Sequence, residues 1–328
     1  MTNSSGKSIL CVGQLVADVV VRSVDALPAL GTTDLIDDLQ ILAGGCAANT
    51  AAVLSKLGAD VRLAALIGCD ALGDVALASL RDSGVCLDSV LRDDSVSTSG
   101  AIVLIHRSGD RSFFYRQGGN ERLANHHVPD RVLQSGAIVH VGGAMKLLEL
   151  DLAALFSRAK ANGSITSIDT DWDTNGLWMK RLHGALPHTD FLFTNQDEAG
   201  MLVGLNEPAQ AGHALLACGP KAVIIKRGPR GAMFFSKHQE LDLPAFPVEV
   251  LDSTCAGDSF VAGFLRGLSL DLPLPETMRF ANAAGALSTT ELSHHGVVSM
   301  AAVQKLIDHH SPRANPEPAH FVPRACSK

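Results

Sequence analysis

The chain has 328 residues, a net charge of −7, and 46% hydrophobic against 19% charged residues. This balance excludes a disordered chain, and an acidic sequence without a Lys/Arg cluster offers a nucleic-acid duplex little counterion release, which sets duplex binding aside. A chain of this length buries roughly 75% of its unfolded surface, enough for one large α/β domain or two ordinary ones.

The polar start, Met1–Lys7, leads into Ile9–Val12, a strand too short for a signal h-region. Val16–Arg22 and Asp34–Leu42 follow as an antiparallel pair, then a helix over Ala47–Leu57, a strand over Val61–Leu66 and a helix over Gly73–Ser83. Ala101–His106 and Arg111–Tyr115 form a second antiparallel pair around the turn signal Ser108-Gly-Asp110. Four more strands are predicted over Ala137–Val141, Ile165–Asp169, Phe191–Thr194 and Ala222–Lys226. Helices are predicted over Leu150–Ala161, Asp197–Val203, Ala209–Cys218, Gly257–Leu268, Glu276–Thr289 and Ala301–His309.

Alternation of short β-branched runs with Ala/Leu-rich helices points to a mostly parallel sheet with helices on both faces. The two strand-rich insertions are read either as a small sheet covering a ligand site at the carboxyl ends of the parallel strands, or as ordinary edge strands. Ser311–Lys328, with four prolines, is expected to be a disordered or loosely docked tail, and no internal repeat is found. Apolar stretches such as Ala64–Ile67 and Ala222–Ile225 are far short of the ~20 residues that span a bilayer. Seven scattered cysteines (Cys11, Cys46, Cys69, Cys86, Cys218, Cys255, Cys326) include no CxxC pair, the pattern of reduced thiols in a cytoplasmic protein rather than of a disulfide frame or zinc site.

The richest segment is Leu251–Leu268, where Cys255, Ala256 and Gly257 lead into an apolar helix whose open N–H groups suit an anion. Asp258 in that first turn is read in two ways. A carboxylate beside a bound anion suggests proton chemistry next to a transferring phosphoryl group, and an Asp there is also an ordinary helix cap.

Asp252-Ser-Thr-Cys-Ala-Gly-Asp258 resembles the D-T-x-G-A-G-D signature of the PfkB (ribokinase-like) carbohydrate kinases. Gly44-Gly-Cys-Ala-Ala-Asn49, continuing through Leu57-Gly58 to Ile67-Gly-Cys-Asp70 and Gly73, is similar to that family's G-G-x-x-x-N…L-G…G-x-D…G pattern. Asn195-Gln-Asp-Glu198 matches N-x-x-E, and Lys226-Arg-Gly-Pro-Arg-Gly231 matches the G-x-x-G turn after a strand. The four motifs stand in family order and cover roughly residues 8–310.

The resemblance implies a ribokinase-like three-layer α/β sandwich with a mostly parallel central sheet and a small β-sheet lid. It implies one kinase domain over residues 1–311, with lid strands from about 14–43 and 95–120, followed by the tail 312–328. Asp258 would be the base taking the acceptor proton, with the backbone of Cys255, Ala256, Gly257 and Asp258 as the anion hole. Asp18, Gly44, Gly45 and Asn49 would hold the sugar hydroxyls. Lys226, Gly228 and Gly231 would line the nucleotide phosphates and ribose, with Asn282 near the adenine. Asn195 and Glu198 would organise phosphate oxygens and Mg²⁺, largely through water. Asp252 and the Thr254 carbonyl match a monovalent-cation (K⁺) site whose later ligands have no clear counterpart in Leu292–Ser299. In this family the lid often pairs with a second subunit's lid, so a homodimer is expected.

Departures from the family pattern narrow the acceptor. Cys46 replaces the ribokinase lysine of G-G-K-G-x-N, Gly143 replaces an acidic sugar contact, and Asp171-Trp-Asp173 stands where keto-acid sugar kinases have Asn-x-Arg. These changes disfavour ribose, carboxylated sugars and sugar phosphates. Asp169–Asp173 fails the EF-hand pattern at Thr174 and Lys180 and is read as a strand-end acidic cluster facing the cleft, with a solvated loop as the alternative. The adjacent pairs His126–His127, His294–His295 and His309–His310 diverge and are not metal sites. The chain has no G-x-G-x-x-G dinucleotide fingerprint and no P-loop.

The expectation is an ATP- and Mg²⁺-dependent kinase acting on a hydroxymethyl group of a neutral sugar, with no nucleic-acid or membrane partner. The alternatives are an adenosine-like nucleoside kinase, for which Phe113, Phe114, Tyr115 and Trp172 supply candidate aromatic contacts, and a non-catalytic sugar-binding regulator.

Overall fold

A computed structural model describes residues 6–24, 26–107, 111–291 and 297–310. The expected turn Ser108–Asp110, the pair His294–His295 and the tail Ser311–Lys328 lie outside the described residues.

The chain opens with β1 (Ile9–Gly13), then β2 (Val16–Val24) and β3 (Asp38–Gly44), before α1 (Cys46–Lys56) and β4 (Val61–Gly68). The next elements are α2 (Ala71–Arg81), β5 (Cys86–Asp93), β6 (Gly100–His106), β7 (Arg111–Arg116) and the single turn α3 (Gly119–Arg122). The middle of the chain runs β8 (Ile138–Gly142), α4 (Leu152–Ala161), β9 (Ile165–Asp169), the single turn α5 (Met179–Leu182), β10 (Phe191–Asn195) and α6 (Gln196–Val203). The last part is α7 (Pro208–Ala217), β11 (Ala222–Lys226), β12 (Ala232–Ser236), β13 (Glu240–Leu243), α8 (Ala256–Ser269), α9 (Leu274–Ser288) and α10 (Met300–His309).

Nine strands form the main sheet in the order β13-β12-β11-β10-β9-β8-β1-β4-β5. From β11 to β5 every pairing is parallel; β12 and β13 turn back antiparallel at the edge. Successive residues of β1 serve opposite layers, as the period-2 geometry of a strand requires. Ile9 and Cys11 join the core under α1, α8 and α9, whereas Leu10 and Val12 join the core under α4, α6 and α7. Burial on both faces is the condition under which parallel sheets occur, and it gives three layers.

The strand-rich insertions form a separate sheet in the order β3-β2-β6-β7, in which β2 and β6 are parallel and the outer pairs antiparallel. Of the two readings of these insertions, the separate small sheet is therefore the one observed. Asp70 ties it to the body: its carboxylate caps α2 through the Gly73 amide at 2.9 Å and accepts from the Thr98 amide at 2.8 Å, just before β6. Those hydrogen bonds hold the Asp70 carboxyl below the usual carboxylate range, against the opposing effect of desolvation.

At one edge of the main sheet the carboxyl ends of β1, β8, β9, β10 and β11 converge, which is where open α/β sheets bind ligands. Close backbone approaches build that edge. A Cβ on Gly142, at the end of β8, would lie 2.6 Å from the amide nitrogen of Ala47 in the first turn of α1. Gly45, which caps α1, has φ +95°, and a Cβ there would meet the Gln14 carbonyl oxygen at 2.7 Å. Gly142→Ala is accordingly expected to push α1 off the sheet and to cost roughly 1–3 kcal/mol, read as a lower urea midpoint with an unchanged m-value.

Candidate active site

Asp258 lies in the first turn of α8, one helical turn after the segment Asp252–Cys255. The first amides of a helix have no intrahelical acceptor; here the Ala256 amide donates to the Ser253 carbonyl oxygen at 3.3 Å, and those of Gly257 and Asp258 remain for an anion. Cys255 caps the helix with φ 61° and ψ 7°, the left-handed region that costs a side-chain-bearing residue on the order of 1 kcal/mol or more. That conformation turns the chain sharply enough to bring Gly257 and Asp258 to the strand ends.

The first half of the chain supplies the acid's partners. Asn49 of α1 donates from Nδ2 to Asp258 Oδ2 at 2.8 Å, and the Cys46 thiol donates to the same carboxylate. Asn49 Oδ1 is buried and has no partner among the described residues. Asp18 of β2 lies over Gly44: a Cβ on Gly44 would come within 1.9 Å of Asp18 Oδ2, so only glycine fits beneath the carboxylate. Asp18, Gly44, Gly45, Asn49 and Asp258, separate in the sequence, thus meet at one corner. Burial pushes the Asp18 carboxyl up to about 7, with the charge of Asp258 adding to it. Burial also raises Asp258, and Asp171 adds to that; the Asn49 hydrogen bond, Lys226 and Cys46 work against it.

A second cluster sits at the ends of β9, β10 and β11. Asn195 and Glu198 form a capping box at the start of α6: Asn195 Oδ1 accepts from the Glu198 amide at 2.8 Å, and Glu198 Oε2 accepts from the Asn195 amide at 3.3 Å. Glu198 Oε2 also accepts from Thr170 Oγ1 at 2.7 Å. Lys226 pairs in register with Asn195, and its Nζ lies 2.7 Å from Asp169 Oδ1.

The glycines expected on the nucleotide side lie farther out. Gly228 has φ +57° with open space where a side chain would be, whereas Gly231 (φ +83°) would drive a Cβ to 2.0 Å from the Leu243 carbonyl oxygen. Asn282 of α9 donates to the carbonyl oxygens of Leu243 at 3.4 Å and Pro244 at 3.2 Å. Gly231 and Asn282 therefore meet through the Leu243–Pro244 backbone and do not touch Asp258. Asp252 Oδ1 accepts from the Thr254 amide at 2.8 Å, closing the turn before α8.

The acidic run after β9 divides its work. Asp169 pairs with Lys226, and Asp171 accepts from Gln14 Nε2 and the Met145 amide, each at 2.9 Å, and from Lys146 Nζ. Asp173 turns away from the cleft to accept from the Asn175 and Trp178 amides, so the expected cleft-facing cluster comprises its first two acids only. Lys146 also donates to the Trp172 carbonyl oxygen at 3.0 Å and lies 5.4 Å from the centre of the Tyr115 ring. Gln14, Lys146 and Asn120, whose amide meets the Tyr115 hydroxyl at 3.0 Å, carry no motif and escape sequence reading. The signal that could find Gln14 is topological: it follows a parallel strand at its carboxyl end.

The raised Asp18 makes a stability prediction whose sign follows from linkage. A carboxyl with a folded pKa above its unfolded value binds its proton more tightly when folded, so ionising it costs stability as pH rises from about 4 to about 7. Asp18→Asn removes that cost and is expected to be more stable than the natural chain at pH 8 by up to about 4 kcal/mol, with no difference at pH 4. Equal urea midpoints at pH 8 would contradict the assignment.

The pfkB family carbohydrate kinase profile matches residues 7–297. Probable fructokinase-7 of Arabidopsis thaliana is 27% identical over 330 residues, spanning 93% of this chain and 94% of that protein. A nucleoside kinase of Methanothermobacter thermautotrophicus is 27% identical over 283 residues, covering 86% of this chain and 89% of its own length. The structure of Arabidopsis thaliana ribokinase complexed with ribose and ATP superposes with a TM-score of 0.80 at 25% identity, covering 92% of this chain and 99% of that one.

Proposed function

The chain belongs to the pfkB family of carbohydrate kinases, and we propose that it transfers the γ-phosphoryl group of ATP to a hydroxymethyl group of a neutral sugar, with Asp258 as the base. Members of this family are phosphotransferases that act on alcohol groups of sugars and use ATP. The observation that carries the proposal is the corner where Asp258 stands in the open first turn of α8 and also 2.8 Å from Asn49. One place there accommodates both a phosphoryl group and the hydroxyl that attacks it.

In this reading the acceptor hydroxyls bind Asp18 and Asn49, above Gly44 and Gly45. The buried, partnerless Asn49 Oδ1 supports it, since a sugar hydroxyl would satisfy that acceptor. Asp258 takes the proton as the acceptor oxygen attacks, and the amides of Cys255–Asp258 hold the phosphoryl oxygens. Lys226, Gly228 and Gly231 line the nucleotide, and Asn282 holds the Leu243–Pro244 wall beside it. Mg²⁺, which keeps several waters and binds through one or two carboxylates plus substrate phosphates, would be held by Glu198, whose Oε1 remains for a water of its shell, with Asn195 beside it. That ion supplies charge neutralisation on the phosphates. Asp252 and the Thr254 carbonyl would bind K⁺ at the approach to α8.

Neutrality of the acceptor follows from charge. The acceptor corner holds Asp18 and Asp258, Cys46 brings no cation, and Lys146 is engaged by Asp171, so a carboxylated or phosphorylated acceptor meets repulsion there. A nucleoside is the second reading. In the small sheet Asp18, Ala101 and Tyr115 are in register, and Phe113 stands on the same face two residues along, 59% exposed. That face would cover the acceptor and exclude water, which otherwise competes with it for ATP.

The opposite face of the small sheet presents Leu39, Ile41, Ile102 and Phe114, each between 39% and 57% exposed. A second copy of the chain would cover these side chains. Phe114→Asp is then expected to convert a dimer to a monomer in light scattering; an unchanged mass would oppose the dimer.

Asp258→Asn is expected to lower kcat by about 10²–10⁴-fold while leaving Mg-ADP affinity within threefold. A coupled ADP-release assay across neutral hexoses, pentoses, sugar phosphates and nucleosides reads both the acceptor and this loss. Because Asp258 must be ionised and its carboxyl is raised, activity should fall on the acid side at a pH above the ordinary carboxylate range.

A further inference from the structure

Lys226 ends β11 beside Asn195, yet its ammonium crosses the cleft to the start of α8. A Cβ built on Gly257 would lie 3.3 Å from Lys226 Nζ, with only that side chain within 4 Å. The ammonium therefore stands over the first turn of α8, one residue before Asp258. Its side chain is 14% exposed, and that of Asp169, which accepts from it at 2.7 Å, is 3% exposed. Burial pulls the Lys226 ammonium down, but Asp169, Glu198 and Asp258 more than offset this and hold it above the ordinary lysine range.

The other described ammonium at the cleft is spent elsewhere: Lys146 is bound by Asp171, the Trp172 carbonyl and the Tyr115 ring. Cys46 supplies no charge from the acceptor loop. An ammonium has three N–H donors, and the one given to Asp169 leaves two for the space above Gly257.

We propose that Lys226 is a catalytic residue that neutralises the transferring phosphoryl group over the α8 N-terminus, and that Asp169 is the positioning residue that holds its ammonium over Gly257. This rests on the kinase reading above and goes beyond a lining role for Lys226. In the step itself the acceptor oxygen forms its bond to the γ-phosphorus and the bond from that phosphorus to the β,γ-bridging oxygen breaks. The electron pair leaves with ADP, and the acceptor proton passes to Asp258. Lys226 exchanges no proton; its two remaining donors face oxygens whose charge grows in a loose transition state.

The test compares the natural chain with Lys226→Met, Lys226→Arg, Asp169→Asn and the Met/Asn double variant. Calorimetry measures Mg-ADP affinity with and without aluminium fluoride, a mimic of the phosphoryl group in flight, and the acceptor assay measures kcat. Lys226→Met is expected to bind Mg-ADP within about threefold of the natural chain. It should lose on the order of 100-fold in kcat and in the tightening produced by aluminium fluoride, the size of loss seen for one preorganised donor. Lys226→Arg should recover part of both. Asp169→Asn should lose about tenfold in kcat, and none further once Lys226 is Met, because a residue acting through another is non-additive with it. Retained kcat in Lys226→Met, or losses that multiply in the double variant, would overturn the proposal. If Lys226→Met does not fold, Lys226→Arg and Asp169→Asn, which keep size and hydrogen bonding, decide by the same readings. A natural chain that binds no Mg-ADP would overturn the kinase reading itself, and this inference with it.

Discussion

The hydrogen bond from Asn49 to Asp258 joins residues 209 positions apart and brings two helices of different origin to one point. α1 enters from the small sheet over Gly44 and Gly45; α8 enters from the end of the chain through the left-handed Cys255. Neither approach tolerates slack. α8 is held from behind by Phe264, whose ring meets Phe191 and Phe193 of β10, each with centroids 5.2 Å apart. The position of the acid is therefore set by aromatic packing against the centre of the main sheet, and the acceptor loop is fitted to it.

What this geometry concentrates is negative charge. Asp18, Asp169, Asp171, Asp258 and Glu198 gather at one sheet edge, against the ammonium groups of Lys146 and Lys226. Lys146 goes to Asp171 and Lys226 to Asp169, yet burial outweighs these pairings: it raises Asp169 to about 8 in spite of Lys226, and it raises Asp18 and Asp258 as well. A site that holds carboxyls in this state gives up folding stability. His140 fits the same economy of cations: buried between Ser167 and the Phe193 ring, it is pushed down to about 3 by burial and by Lys226, so it adds no charge.

Much of this was legible in the residues, for identifiable reasons. The parallel strands are apolar runs bounded by turns, and Ile165–Asp169 and Ala222–Lys226 were predicted to the residue. The small sheet follows from two insertions that break the alternation, Asp258 from its place at the start of an apolar helix, and Asn49, Asn195 and Glu198 from the resemblance of their motifs to those of the family. Three strands of the main sheet are not predicted: β12 (Ala232–Ser236), which pairs with β11 and β13, and the two edge strands β5 and β13. β5 reads Cys-Leu-Asp-Ser-Val-Leu-Arg-Asp, with the charges that protect an exposed edge, and β13 has only four residues. Lys146 and Gln14 were illegible because their importance is pairwise: each matters through Asp171, which is far away in sequence and near only once β1, β8 and β9 are aligned. Likewise no periodicity tells that Lys226 leans toward Gly257 and away from the glycine turn that follows it.

The parallel pairing of β2 with β6 has a consequence for how the molecule assembles. In that register Asp18 faces Ala101, so the pairing closes a long loop that contains α1, β4, α2 and β5. Loop-closure entropy makes such a contact expensive while the intervening chain is unfolded and cheap once it is folded. That entropy favours an order in which the body, with Asp258 in place, forms before the small sheet joins it. In that order Asp18 takes its costly position last, on a fold already able to bear it.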